Sequence, residues 1–174
     1  KLSEFDFDLP EHLIAQHPPV DRGESRLLVC AQNQPVCDEK FPHILNLLQA
    51  NDVLVINDTK VLKARLQGTK ASGGKIEVML ERILDDKRFT AMIRASKSPK
   101  PRSEVVLAGV ATARVLAKHD MMYELELLES SLGLPELLDT HGALPLPPYI
   151  EHSANAQDDE RYQTVFAREP GAVA

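Results

Sequence analysis

The chain has 174 residues and a formal net charge of −6, enough length to bury a sizeable core as one domain or two small ones. No apolar run is long enough to cross a bilayer, and the opening Lys1-Leu2-Ser3-Glu4-Phe5 lacks a signal peptide's apolar stretch, so no membrane partner and a cytoplasmic location are expected. The six histidines show no His-x-x-x-His spacing and there is no Cys-x-x-Cys, so a metal site has no support.

In chain order, Asp8-Leu9-Pro10-Glu11 reads as a helix start with Asp8 as cap, and the short helix Pro10 to Gln16 stops at His17-Pro18-Pro19. Ser25 to Cys30 and Val36 to Phe41 predict a hairpin in which Cys30 and Cys37 remain reduced. Pro42 to Ala50 reads as a helix with Ile44, Leu45, Leu47 and Leu48 on one face, and Asn51-Asp52 turns the chain into an apolar strand, Val53 to Ile56. The texture then changes. Strand signals follow at Leu62 to Thr69, Lys75 to Leu84, Phe89 to Ser96, Glu104 to Leu107, Thr112 to Lys118 and Met122 to Leu128. Turn residues separate most of these strands and no helical pattern intervenes, which predicts a small antiparallel barrel. A helix (Leu134 to Thr140), an extended proline-rich run through Tyr149 and a second helix (Asp158 to Arg168) complete the pattern. The fold class expected is α/β: residues 1–60 and 131–174 form an α/β body, and residues 61–130 form an antiparallel β-barrel inserted into it.

Charge is unevenly placed. Residues 60–102 hold twelve Lys and Arg against four acids, a balance of +8, whereas the remainder stands at −14. Such asymmetry marks a localised basic surface of the kind that meets a polyanion, although charge runs are commonly just solvated faces. The run Asn57-Asp58-Thr59 closes the apolar strand with an amide, a carboxylate and a hydroxyl, a position where α/β proteins bind ligands and where ordinary turn residues also collect.

Several runs together resemble one family: Phe5-Asp6-Phe7-Asp8-Leu9-Pro10, Ser25-Arg26-Leu27-Leu28, Asn57-Asp58-Thr59-Lys60-Val61, Ala64-Arg65-Leu66 and Gly73-Gly74-Lys75-Ile76-Glu77-Val78. To these are added Arg94-Ala95-Ser96-Lys97, His141-Gly142, Pro145-Leu146-Pro147-Pro148-Tyr149-Ile150 and Arg161-Tyr162-Gln163-Thr164 onward to Ala174. The chain is similar to the S-adenosylmethionine:tRNA ribosyltransferase-isomerases of queuosine biosynthesis, in order and over nearly its whole length. The resemblance implies an α/β domain with an inserted barrel. It also implies transfer and isomerisation of the ribosyl part of S-adenosylmethionine onto 7-aminomethyl-7-deazaguanine at the tRNA wobble position, giving epoxyqueuosine with release of adenine and methionine. S-adenosylmethionine is then a consumed substrate, tRNA the partner, no cofactor is needed, and a monomer is expected. Two departures stand out. The family is roughly twice as long, so the chain looks like its N-terminal half and by itself is expected to be inactive. Ala143-Leu144 stands where the family has a His-Met pair, so any role of that histidine is lost or passes to another residue such as His141.

The reaction needs a base beside the sulfonium, a donor for departing adenine, ligands for ribose hydroxyls and a route for an exposed base. Asp58 and Glu77 are the candidate catalytic carboxylates, as base or ribose ligand; an outward strand residue paired with Lys75 is the plainer reading of Glu77. Asn57 and Thr59 suit hydrogen bonding to a base edge or ribose, and Tyr149 and Tyr162 suit stacking. Gln163 and Thr164, on the last helix, either complete the substrate pocket or serve packing. Arg65, Lys75, Arg94, Ser96 and Lys97 are the tRNA-binding candidates, suited to phosphates. A non-catalytic RNA-binding protein and a small-molecule enzyme with an incidental basic face remain the competing readings; adenine release and salt-dependent tRNA affinity separate them.

Overall fold

The computed structural model describes residues 1–171. Six strands close into an antiparallel barrel: β4 (Arg65–Lys70), β5 (Lys75–Ile83), β6 (Arg88–Ala95), β7 (Glu104–Leu107), β8 (Ala111–His119) and β9 (Met122–Ser130), in spatial order β4-β5-β6-β9-β8-β7. This is the expected α/β chain with a barrel, and the strand-rich barrel dominates it. The alternation of each strand explains the closure. Leu66, Ile76, Val78, Leu80, Phe89, Ala91, Val105, Leu107, Ala113, Val115, Tyr123 and Leu125 all point inward and are almost wholly buried. Large Phe89, Leu80 and Tyr123 share the interior with small Ala91, Ala111 and Ala113, the mixture a narrow barrel can hold without voids. Register shifts at Leu80/Arg82 in β5 and at two points in β8 bend the strands into the closed form. Gly68 brings β4 close to β7, because a Cβ there would lie 2.5 Å from the Val106 carbonyl oxygen.

Helix α1 (Leu134–His141) packs Leu134, Leu137 and Leu138 into the same core. Leu144 and Leu146 are buried after it. Ala143 is exposed and exchanges two backbone hydrogen bonds with Arg65, of 2.8 and 3.1 Å. His141 is exposed at the end of α1.

Two compact units are present: Ile56–Pro147 with the described residues from Ser153 onward, which holds the barrel, and Lys1–Val55 with Pro148–His152. The second unit contains the expected hairpin, β1 (Arg26–Val29) with β2 (Cys37–Lys40), and both cysteines are exposed free thiols. Its expected helices are shorter. Pro10 to Gln16 gives only a 3-10 turn at Glu11–Leu13, with Pro10 rather than Asp8 at the cap, and Pro42 to Ala50 gives a 3-10 segment at Phe41–Asn46. Short helices draw their stability from docking an apolar face. Here Leu45, Leu47 and Leu48 are exposed and no described residue of this unit is buried. Val53 to Ile56 forms no strand, and all four side chains are exposed, because no neighbouring strand pairs with them among the described residues.

Candidate functional site

Two clusters in the barrel-containing unit collect most of the candidate residues. The first lies where β3 (Thr59–Val61) runs parallel to β10 (Glu169–Gly171). Asp58 enters this pairing through its backbone, whose carbonyl oxygen accepts from Arg168 N–H at 2.7 Å and Glu169 N–H at 3.1 Å. Asn57 Oδ1 accepts from Thr59 N–H at 2.9 Å, the short local bond that makes Asn a turn residue. With its carbonyl held by two N–H groups, the Asp58 carboxylate is exposed and makes no hydrogen bond or ion pair among the described residues.

Helix α2 (Ala156–Arg161) begins at an Asn155 capping box and ends earlier than its sequence predicted. Asn155 Oδ1 accepts from Gln157 and Asp158 N–H at 2.8 and 3.2 Å, and Asp158 Oδ2 returns the favour to Asn155 N–H at 3.0 Å. Tyr162 is therefore its C-cap, and Gln163 and Thr164 lie in the following turn instead of on a helix. Gln163 grips Val61, its Oε1 accepting from the backbone N–H at 2.8 Å and its Nε2 donating to the carbonyl at 2.9 Å. Thr164 Oγ1 accepts from Phe166 N–H at 3.3 Å and helps aim the chain at β10. These residues build the end of β3. Lys63, just beyond it, pairs with Asp159 at 2.8 Å, and that hydrogen bond holds the lysine above its ordinary pKa.

The second cluster is on the outer face of the barrel. Gln67, Glu77 and Arg94 are directly opposed across β4, β5 and β6. Gln67 Nε2 donates to Glu77 Oε2 at 3.2 Å. Arg65 Nε, buried and without a hydrogen bond, lies 3.9 Å from Glu77 Oε1, and Arg65 Nη2 donates to the Leu146 carbonyl at 3.2 Å. Glu77 thus has Arg65 and Gln67 as partners in place of Lys75. Lys75, Glu77, Arg94 and Ser96 line one open depression of about 450 Å³ with Gln67, Ile76 and Ala95. Gln67 carries no obvious sequence signal; only its place two residues after Arg65 on an alternating strand sets it on this face.

The basic segment is partly neutralised within itself, by Arg88 with Asp85 at 2.7 Å and Arg82 with Glu81 at 3.6 Å, and from outside it by Asp159 on Lys63. Lys75 and Arg94 make no ion pair among the described residues. Lys97 is exposed outside the depression, and its carbonyl accepts from Lys70 Nζ at 2.9 Å. Tyr149 belongs to the other unit, exposed, with its carbonyl accepting from Gln16 Nε2 at 2.9 Å. Among the described residues no group of three or more His, Cys, Asp or Glu is arranged to hold a metal ion, and no helix is long and apolar enough to cross a membrane.

Comparison with known proteins gives the sequence a family. Residues 2–174 match the family described as "Queuosine biosynthesis protein". A solved structure of S-adenosylmethionine tRNA ribosyltransferase from Thermotoga maritima is 32% identical over 71% of this chain and 44% of that one, with a TM-score of 0.35. The chain therefore spans less than half the length of that relative. On the match across residues 2–174, the chain belongs to the queuosine biosynthesis protein family.

Proposed function

We propose that the protein modifies tRNA in queuosine biosynthesis, moving and isomerising the ribosyl part of S-adenosylmethionine onto 7-aminomethyl-7-deazaguanine at the wobble position. Epoxyqueuosine-tRNA, adenine and methionine are the products. The family match over residues 2–174 carries this reading. The unpaired cations of the barrel face support it, since phosphates are the polyanion they would meet.

Asp58 is assigned to the S-adenosylmethionine site, as base or ribose ligand. It is the carboxylate with a bonded backbone carbonyl and an unengaged side chain just before the start of β3. Asn57 and Thr59 flank it, Gln163 holds the strand it precedes, and Tyr162 and Thr164 shape the turn that carries Gln163. The test is adenine release from S-adenosylmethionine by the full-length protein with tRNA carrying the deazaguanine base. Wild type should release adenine with modified tRNA recovered. Asp58→Ala should lose at least about a hundredfold in turnover, the scale of a removed acid–base group, with an unchanged melting temperature. tRNA affinity without adenine release in the wild type would favour the non-catalytic RNA-binding reading, and near-normal turnover of Asp58→Ala would return Asp58 to a turn role.

A further inference from the structure

A second depression lies beside the one holding Glu77. The second, about 470 Å³, is lined by Gln67, Gly68, Thr69, Lys75, Val106, Ala108 and Gly109. Gln67 and Lys75 line both, so the two are neighbours. The registers show why the two are neighbours. Gln67, Glu77 and Arg94 follow in one row across β4, β5 and β6, and Ala108, just past β7, donates its N–H to the Gln67 carbonyl at 2.8 Å. Val106, Thr69 and Lys75 make a parallel row on the same side. Four strands span about 14 Å at the usual strand spacing. Between the two rows the floor of this trough is backbone, because Gly68, Ile76 and Ala95 form the row that turns its side chains to the core; Lys75 and Arg94 are unpaired among the described residues.

We propose that this trough binds an unpaired RNA nucleotide with a guanine-type Watson–Crick edge, read by Glu77 and Gln67, with Lys75 and Arg94 on the flanking phosphates. The inference rests on the tRNA reading above and deepens it by giving the barrel face a base preference. A carboxylate only accepts, and each of its oxygens keeps capacity beyond the bond from Gln67. Guanine offers N1–H and N2–H side by side, a match to both carboxylate oxygens. The second Nε2 proton of Gln67 is available to guanine O6. Adenine sets an acceptor, N1, where guanine has a donor, and so faces the carboxylate with like polarity. Single-stranded bases are read on such edges. In this reading Glu77 recognises a base and does not abstract a proton.

The experiment titrates the full-length protein, without S-adenosylmethionine, against short fluorescent unpaired RNAs that differ at one central base: guanine, inosine (which lacks the N2 amine) or adenine. The guanine RNA should bind on the order of tenfold more tightly than the adenine RNA, with inosine between. Glu77→Gln should abolish that preference. Lys75→Ala with Arg94→Ala should lower the salt slope by about 1.4, the value for two phosphates on a single strand. Should Glu77→Gln melt early, Gln67→Ala reads the same edge. Equal affinity for the guanine and adenine RNAs, or a preference that survives both substitutions, overturns the inference. Adenine release with tRNA separates the two readings: release without base preference rejects the trough and keeps the reaction, and preference without release does the reverse.

Discussion

Gly142 ends α1 with an ordinary backbone, φ −77° and ψ 159°, and its N–H donates to the Leu138 carbonyl at 2.8 Å. Nothing in those dihedrals requires glycine. The space does, because an added Cβ would collide with the carbonyl oxygens of both Lys63 and Leu138 and lie 3.0 Å from Lys63 C. Every obstacle is backbone, so no rotamer change relieves it. The two segments are also pinned. Ala143 and Arg65 exchange hydrogen bonds of 2.8 and 3.1 Å, Leu80 N–H donates to the Ala64 carbonyl at 2.9 Å, and Leu134, Leu137 and Leu138 anchor α1 in the core. Overpacking a fixed core costs about 1–3 kcal/mol or more, against a gain of about 0.4–1 kcal/mol from a stiffer unfolded chain. Gly142→Ala should therefore destabilise the barrel unit by about 2 kcal/mol, the upper part of that range after the entropic gain. Urea unfolding followed by circular dichroism measures it. Gly133→Ala is the control for added volume: the nearest atom to its Cβ is Pro135 Cδ at 3.9 Å, so it meets no backbone and loses only the preference for Gly over Ala at an N-cap. Equal stability of Gly142→Ala and the wild type would refute the close-packing account of the His141-Gly142 run.

Phe89→Ala, at a fully buried barrel position, should cost about 3–5 kcal/mol in the same denaturation experiment. Asp85 is held at a pKa of about 2, down from 3.8, first by the backbone N–H groups of Lys87 and Arg88 and then by the Arg88 side chain. A depressed carboxylate stabilises the fold above its unfolded pKa and loses that contribution as pH falls through the folded value. Melting temperature should thus drop between pH 3.8 and about 2 more steeply in the wild type than in Asp85→Asn. Arg94→Ala with Lys97→Ala should weaken tRNA binding by the full-length protein and lower its salt slope; an unchanged slope would remove these two from the phosphate contacts.

The barrel was largely legible in the residues. Alternation in Ile76-Glu77-Val78-Met79-Leu80 reappears as a buried-and-exposed strand, and the expected turns carry Gly73 and Asp120 at positive φ. Strand order was not legible. The pairings of β6 with β9 and of β4 with β7 join strands remote in sequence, and local periodicity says nothing about them. Outside the barrel the apolar patterns of Pro42 to Ala50 and Val53 to Ile56 matched regular elements, yet an amphipathic segment takes regular form only when something covers its apolar face. Among the described residues, nothing buries these.

The candidate site divides along the same line. Asn57-Asp58-Thr59 and the run from Arg161 were associated only by resemblance, because a parallel strand pair needs a long crossover and leaves no local trace. The structure supplies the physical link, placing Arg168 and Glu169 N–H on the Asp58 carbonyl and Gln163 on Val61. That link also redistributes roles. An amide whose oxygen and nitrogen both serve Val61 contributes first to the strand. Thr164, occupied with Phe166 N–H, contributes first to its own turn. Asp58 differs: its backbone carries the structural load and its carboxylate stays unengaged. Substitution at Gln163 should therefore act through stability and through Asp58's position, whereas substitution at Asp58 changes the chemistry offered to a ligand while sparing every hydrogen bond that builds the site.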